Sequence, residues 1–180
     1  MGRFWLGILI GICILPMAGL IFLESGGMPV ATRGSSLPLE RFIARTSIHA
    51  AMRGEGGKLS PIPPSPENLL AGAKLYQVNC AVCHGLPEQP KTTVARGLYP
   101  HVPQLFGPRG GVTDDPVGET YWKIKNGIRL TGMPGFEDSL SDNQLWQICL
   151  FLWKADSLTP EAKAAIRPGA DFLSRVPSQH

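Results

Sequence analysis

The sequence predicts an all-α domain of modest size carried behind one hydrophobic N-terminal helix. Three observations lead there: an uncharged apolar run near the start, three helix-start signatures from residue 65 onward, and no convincing strand-like alternation anywhere in the 180 residues. Hydrophobic residues make up 43% and charged residues 17%, which permits a packed core and excludes wholesale disorder. With 21 Gly and 17 Pro, long loops are expected. The net charge is +3, and residues 65–180 carry eleven basic and eleven acidic side chains. A neutral globular part lacks the broad basic field that nucleic-acid binding uses.

The first element is the run Phe4–Leu23, FWLGILIGICILPMAGLIFL. As a helix it rises roughly 30 Å, the thickness of a bilayer's hydrocarbon. The following ESGGMPVATRG offers no convincing small-x-small cleavage site, and the apolar run is longer than that of a signal peptide, so residues 1–24 read as an uncleaved transmembrane anchor. Gly7 and Gly11 form a G-x-x-x-G pair suited to a partner helix, although glycine is common in membrane helices for other reasons. Basic residues stand on both sides of the span (Arg3 before, Arg33, Arg41 and Arg45 after), so flanking charge does not set orientation.

Residues 25–65 read as a Pro/Gly-rich linker ending in SPIPPSP, a stiff extended spacer. Within it, residues 37–52 (LPLERFIARTSIHAAM) place Leu39, Phe42, Ile43, Thr46 and Ala50 at helical spacing, with Arg41 and Arg45 off that stripe. Such an amphipathic helix lies on lipid headgroups or against another subunit, unless it is a partly ordered tether. His49 and Met52 are taken as spectators.

The globular domain is expected over residues 66–158, with 159–180 as a tail. Ser65 caps its first helix, Pro66 occupies the first turn and Glu67 favours the positive dipole end; the helix should end near Asn79. A second start lies at Thr113–Asp115 with Pro116, closing at Asn126-Gly127. A third begins at Ser141, with Gln144 completing a capping box, and runs through Leu145, Trp146, Ile148, Cys149 and Leu152. Cys149 on that apolar face reads as a small buried hydrophobe, and Cys13 lies within the span. So small a core needs something large and apolar to pack around.

Cys80-Ala81-Val82-Cys83-His84 is C-x-x-C-H, the spacing of covalent haem attachment. Two thiols one turn apart add to vinyl groups on one porphyrin edge, and the adjacent imidazole is held against the iron. The competing readings are a zinc site, which would need two further ligands, and a redox pair or local disulfide with His84 incidental. A second ligand should come from GIRLTGMPGF, residues 127–136, where two glycines and a proline bracket Met133. Met133 is the preferred distal ligand, a buried gap-filler being its plainer role; His101 is the other candidate, and Met52 would have to reach across the domain.

NLLAGAKLYQVNCAVCHGLP, GLYPHVPQLF and DPVGETYWKIKNGIRLTGMPGF with SLSDNQLWQICLFL together resemble a monohaem class I cytochrome c. The likeness, over about Asn68 to Leu158, is to the kind related to haem-c domains of bacterial oxidase and dehydrogenase subunits. It implies the class I cytochrome c fold, three main helices around one covalent haem c. By the resemblance, Cys80 and Cys83 form the thioethers, His84 is the proximal ligand and Met133 the distal one. It also puts Gly72 and Tyr76 on the first helix across from Trp146 on the last, makes the Pro103 carbonyl accept the second imidazole N–H, and packs Leu105 on the ring.

The expected function is a one-electron carrier, not itself an enzyme, tethered as a single-pass protein in the bacterial cytoplasmic membrane. Haem c is attached outside that membrane, so the haem domain should face the periplasm. Its partners are membrane lipid and a membrane-bound redox protein or complex acting as donor or acceptor. Lys123, Lys125 and Arg129 flank the methionine loop and are candidates for steering an acidic partner. The alternatives are a fixed haem subunit of a terminal oxidase, dehydrogenase or photosynthetic reaction centre, and behind these a haem peroxidase or gas sensor.

Overall fold

The computed structural model describes residues 2–106 and 112–167; the Arg3 side chain and the part of the expected tail beyond residue 167 lie outside the described residues. All regular elements among them are helical. The chain divides into two compact units, Met1–Ala44 and Arg45–His180.

In the first unit, α1 spans Gly2–Glu24 and tolerates Pro16 in its interior. Its segment Phe4–Glu24 is long and apolar enough to cross a membrane, and none of it is buried. A Cβ added at Gly7 or Gly11 would meet open space. Helix α2, Glu40–Ala51, begins in this unit and ends in the second, its start secured by the Glu40 carboxylate accepting the Leu37 N–H at 2.8 Å.

In the second unit the three expected helices are present. Helix α3, Pro66–Asn79, is capped by Ser65, whose hydroxyl accepts the Asn68 N–H at 3.3 Å. It runs through Cys80 into a single turn, α4, Ala81–His84, and a short helix α5, Thr93–Gly97, comes next in the chain. Helix α6, Val117–Asn126, starts at Pro116 without a side-chain cap. Helix α7, Asp142–Trp153, has the full reciprocal capping box between Ser141 and Gln144. A last short helix, α8, Pro160–Ala165, is capped by Thr159.

The core forms where α3 lies along α7. Ala73, Tyr76, Ile148 and Phe151 are fully buried there, and Gln147 Nε2 donates to Asn68 Oδ1 at 3.0 Å across the crossing. Gly72 makes the approach possible: a Cβ on it would stand 2.1 Å from the Gln147 carbonyl oxygen and 2.8 Å from Phe151 Cβ. The aromatic facing Gly72 and Tyr76 is therefore Phe151, whose ring centroid is 5.4 Å from that of Tyr76, and not Trp146 as the resemblance implied. The reason is helical phase. Gln147 and Phe151 are four residues apart and share the α3 side, whereas Trp146 turns toward α6 and stacks on Tyr121 at 4.1 Å.

Two segments flanking the three main helices also join the core. Leu158, Ala162 and Ile166 are buried in it, the α8 turn lying against α3. On the other side Met52 is buried, and the short 3-10 turn Glu55–Gly57 rests on α6. Gly118 of α6 receives that turn: a Cβ there would fall 2.0 Å from the Glu55 carbonyl oxygen. Lys58 completes the contact, with Nζ 4.5 Å from the Tyr121 ring centre. Gly118→Ala should therefore release residues 52–58. Hydrogen–deuterium exchange should rise in that segment, and α3 and α7 should keep their protection; equal loss of protection throughout would contradict a local role.

Candidate functional site

The turn α4 grows out of α3 without a break. Cys80 ends α3, the His84 N–H returns to the Cys80 carbonyl at 2.9 Å, and Gly85 closes the turn with φ +74°. This winding sets Cys80, Cys83 and His84 along one side of a cavity of about 490 Å³. Tyr76 fixes the turn to the core, its hydroxyl donating to the Gly85 carbonyl at 2.7 Å. The incoming loop is tied to the same turn through Thr92, whose hydroxyl donates to the Val82 carbonyl at 2.8 Å.

His84 is oriented by one bond: its Nδ1 lies 2.9 Å from the Pro103 carbonyl oxygen. With Nδ1–H donating there, Nε2 is the unprotonated nitrogen. Burial holds the imidazole below its ordinary pKa and so favours the neutral form, against the opposing, upward pull of the Pro103 carbonyl. The Cys80 thiol is pushed up to about 12, chiefly by burial and secondly by Cys83.

Met133 enters from a separate loop that hangs from the end of α6. The Ile128 N–H donates to the Met133 carbonyl at 3.1 Å, the Met133 N–H donates to Thr131 Oγ1 at 3.1 Å, and the Phe136 N–H returns to the Ile124 carbonyl at 3.0 Å. This internal bonding makes the loop a fixed arm. Its tip is Leu130, 92% exposed and held at φ +61°, a backbone region that a branched apolar residue occupies only under strain.

All six residues singled out from the sequence, Cys80, Cys83, His84, Pro103, Leu105 and Met133, line this one cavity. His101 lines it too, from an exposed position. Other walls were not foreseen: Leu98, Ile124, Ile128 and Phe136 supply apolar surface, and Tyr76 closes the inner end. Gln104 was also missed. Its Nε2 is buried without a hydrogen-bond partner, the only such side-chain nitrogen or oxygen among the described residues. The volume falls within the ~300–1,000 Å³ typical of ligand and cofactor sites. Apolar walls, one oriented imidazole, one thioether, two thiols at the edge and a spare buried donor fit a porphyrin that bears carboxylate groups.

The lysines beside the methionine loop are less available than their spacing suggests. Lys123 pairs with Asp115 and Lys125 with Glu137, each at 3.1 Å. Arg129 makes no ion pair among the described residues.

Residues 67–152 match the family described as cytochrome C oxidase, cbb3-type, subunit III. Over 94 residues the chain is 32% identical to the quinohemoprotein alcohol dehydrogenase ADH IIB of Pseudomonas putida. That alignment covers 51% of this chain and spans only 12% of the dehydrogenase. No solved structure gives a significant match.

Proposed function

We propose that the chain is a membrane-tethered carrier passing single electrons through a His/Met-ligated haem c, held in a c-type cytochrome domain over the residues 67–152 that match the oxidase-subunit family. One observation carries this reading: Cys80, Cys83 and His84 from a single helical turn share a cavity with Met133 from a separate, internally braced loop. Cys80 and Cys83 are assigned to the thioether bonds, His84 Nε2 and the Met133 sulfur to the iron. Bound there, the haem supplies a one-electron ferric/ferrous couple.

The remaining work belongs to the polypeptide. Pro103 holds His84 in one tautomer and raises its donor strength. Leu105, Ile124 and Phe136 keep the ring in apolar surroundings that favour the less charged ferrous form, which together with a thioether ligand raises the potential. The bracing of the 127–136 loop keeps Met133 in place in both oxidation states, so little rearrangement accompanies transfer. Arg129 and the strained, exposed Leu130 form a lip beside the cavity suited to the small, short-lived contact of a redox encounter. α1 is assigned as the anchor, with the haem domain on the periplasmic side.

A second reading has its own support. The family match to an oxidase subunit and the identity with a segment of a much longer dehydrogenase favour a fixed haem subunit within a membrane complex. The chemistry is the same and only the assembly differs.

The test is made on native membranes. The haem should be reduced when respiratory donors are added and reoxidised when oxygen is admitted. A haem that stays oxidised under reducing donors, or that binds carbon monoxide rapidly, overturns the carrier reading. Gentle solubilisation then distinguishes the two assemblies: the haem-stained band runs alone if the carrier is free and with oxidase or dehydrogenase subunits if it is fixed.

A further inference from the structure

Helix α2 has an apolar stripe that nothing among the described residues covers. Leu39, Phe42 and Ile43 are 69%, 67% and 59% exposed, and none of the helix's residues is buried. At about 100° per residue Phe42 and Ile43 share one side of the helix with Thr46 and Ala50, while Arg41 and Arg45 stand well off it; Leu39 is the residue just before the helix, with φ +66°. Neither arginine forms an ion pair among the described residues. The single carboxylate of the helix, Glu40, is occupied by the Leu37 N–H. The helix thus combines large apolar side chains on one side with free cations flanking them.

We propose that α2 lies in the headgroup layer of an anionic bilayer, with Leu39, Phe42 and Ile43 turned toward the acyl chains and Arg41 and Arg45 against lipid phosphates. The proposal rests on α1 being inserted as an anchor. Two observations select lipid over a protein partner. Between Glu24 and Leu39 stand only residues 25–38, a connection of at most roughly 50 Å even when fully extended, so the bilayer is always within reach. And three side chains fall well short of the roughly 800 Å² per partner that a specific protein interface buries, whereas an interfacial helix needs only a shallow apolar face and nearby cations. Arg33, within the connection, adds a further positive charge on the same side of the span.

The experiment uses the full haem-loaded chain in nanodiscs of mixed phosphatidylglycerol and phosphatidylcholine, carrying one nitroxide label at a time. Cys149 is buried, and on the proposed attachment Cys80 and Cys83 are consumed, so native Cys13 takes the label and reports whether α1 is inserted. In a Cys13→Ser background, Ile43→Cys and Arg41→Cys then report the two sides of α2, and an unchanged haem spectrum confirms that each variant is folded. At position 43, collisions with oxygen should exceed those with a water-soluble nickel chelate several-fold over the ratio at position 41. The contrast should shrink in pure phosphatidylcholine. If Cys13 reports lipid while position 43 is as aqueous as position 41, the proposal fails and the anchor stands. If Cys13 itself is aqueous, the anchor assignment fails and takes the proposal with it. Dipolar coupling between labels at position 43, in discs holding two copies, overturns the proposal in favour of a second chain as the occupant.

Discussion

On the proposed ligation, Met133→Ala should leave the haem covalently attached and convert a closed iron into an open one. The sulfur-to-iron absorption band of the oxidised form is lost, carbon monoxide binds the reduced form rapidly, and the midpoint potential falls. Axial ligation spans roughly 0.8 V across haem proteins, so a drop on the order of 0.1 V or more is expected. The fold should survive, because the loop from Gly127 to Phe136 is held by its own backbone bonds and by Phe136 on Ile124, not by the methionine side chain. Potentiometric titration with absorption spectroscopy reads both effects. An unaltered spectrum in Met133→Ala would return His101, which lines the same cavity, as the distal ligand.

Gly72→Ala strikes the fold instead of the ligand set. The added methyl would sit 2.1 Å from the Gln147 oxygen and 2.6 Å from its carbonyl carbon, both backbone atoms that cannot rotate away. α3 must therefore move off α7, loosening Tyr76 against Phe151 and the Asn68–Gln147 bond. Overpacking of this kind costs about 3 kcal/mol or more, which in a domain of this size lowers the melting temperature by on the order of 10–20 °C. Thermal melts followed by circular dichroism and by the haem band should shift together. A melting point within a degree or two of the parent would mean that the helices do not cross at Gly72.

What was legible in the sequence was local. Ser65-Pro66-Glu67 and Ser141 with Gln144 mark helix starts through bonds spanning three residues, and both helices stand where those marks put them. The C-x-x-C-H turn and the glycine-bracketed Met133 are likewise short-range patterns, and the cavity brings them together. Thr159-Pro160-Glu161 repeats the Ser65-Pro66-Glu67 signature and could have disclosed α8, yet its purpose depends on Ala162 and Ile166 reaching α3, far away in the chain. The meeting of Gly118 with Glu55, the pairing of Tyr76 with Phe151, and the neutralisation of Lys123 by Asp115 are all tertiary facts. No spacing encodes them, because each depends on how helices are rotated about their axes after they form.

The two lysine–carboxylate pairs bear on how the domain meets other proteins. With Lys123 and Lys125 each matched by an acid within the same surface, these two lysines add little long-range field around the methionine arm, where Arg129 is the cation without an ion pair among the described residues. On the proposed anchoring, recognition would then be left to contour at close range and to confinement beside the bilayer, so the domain would select its correspondents by neighbourhood more than by attraction across solvent.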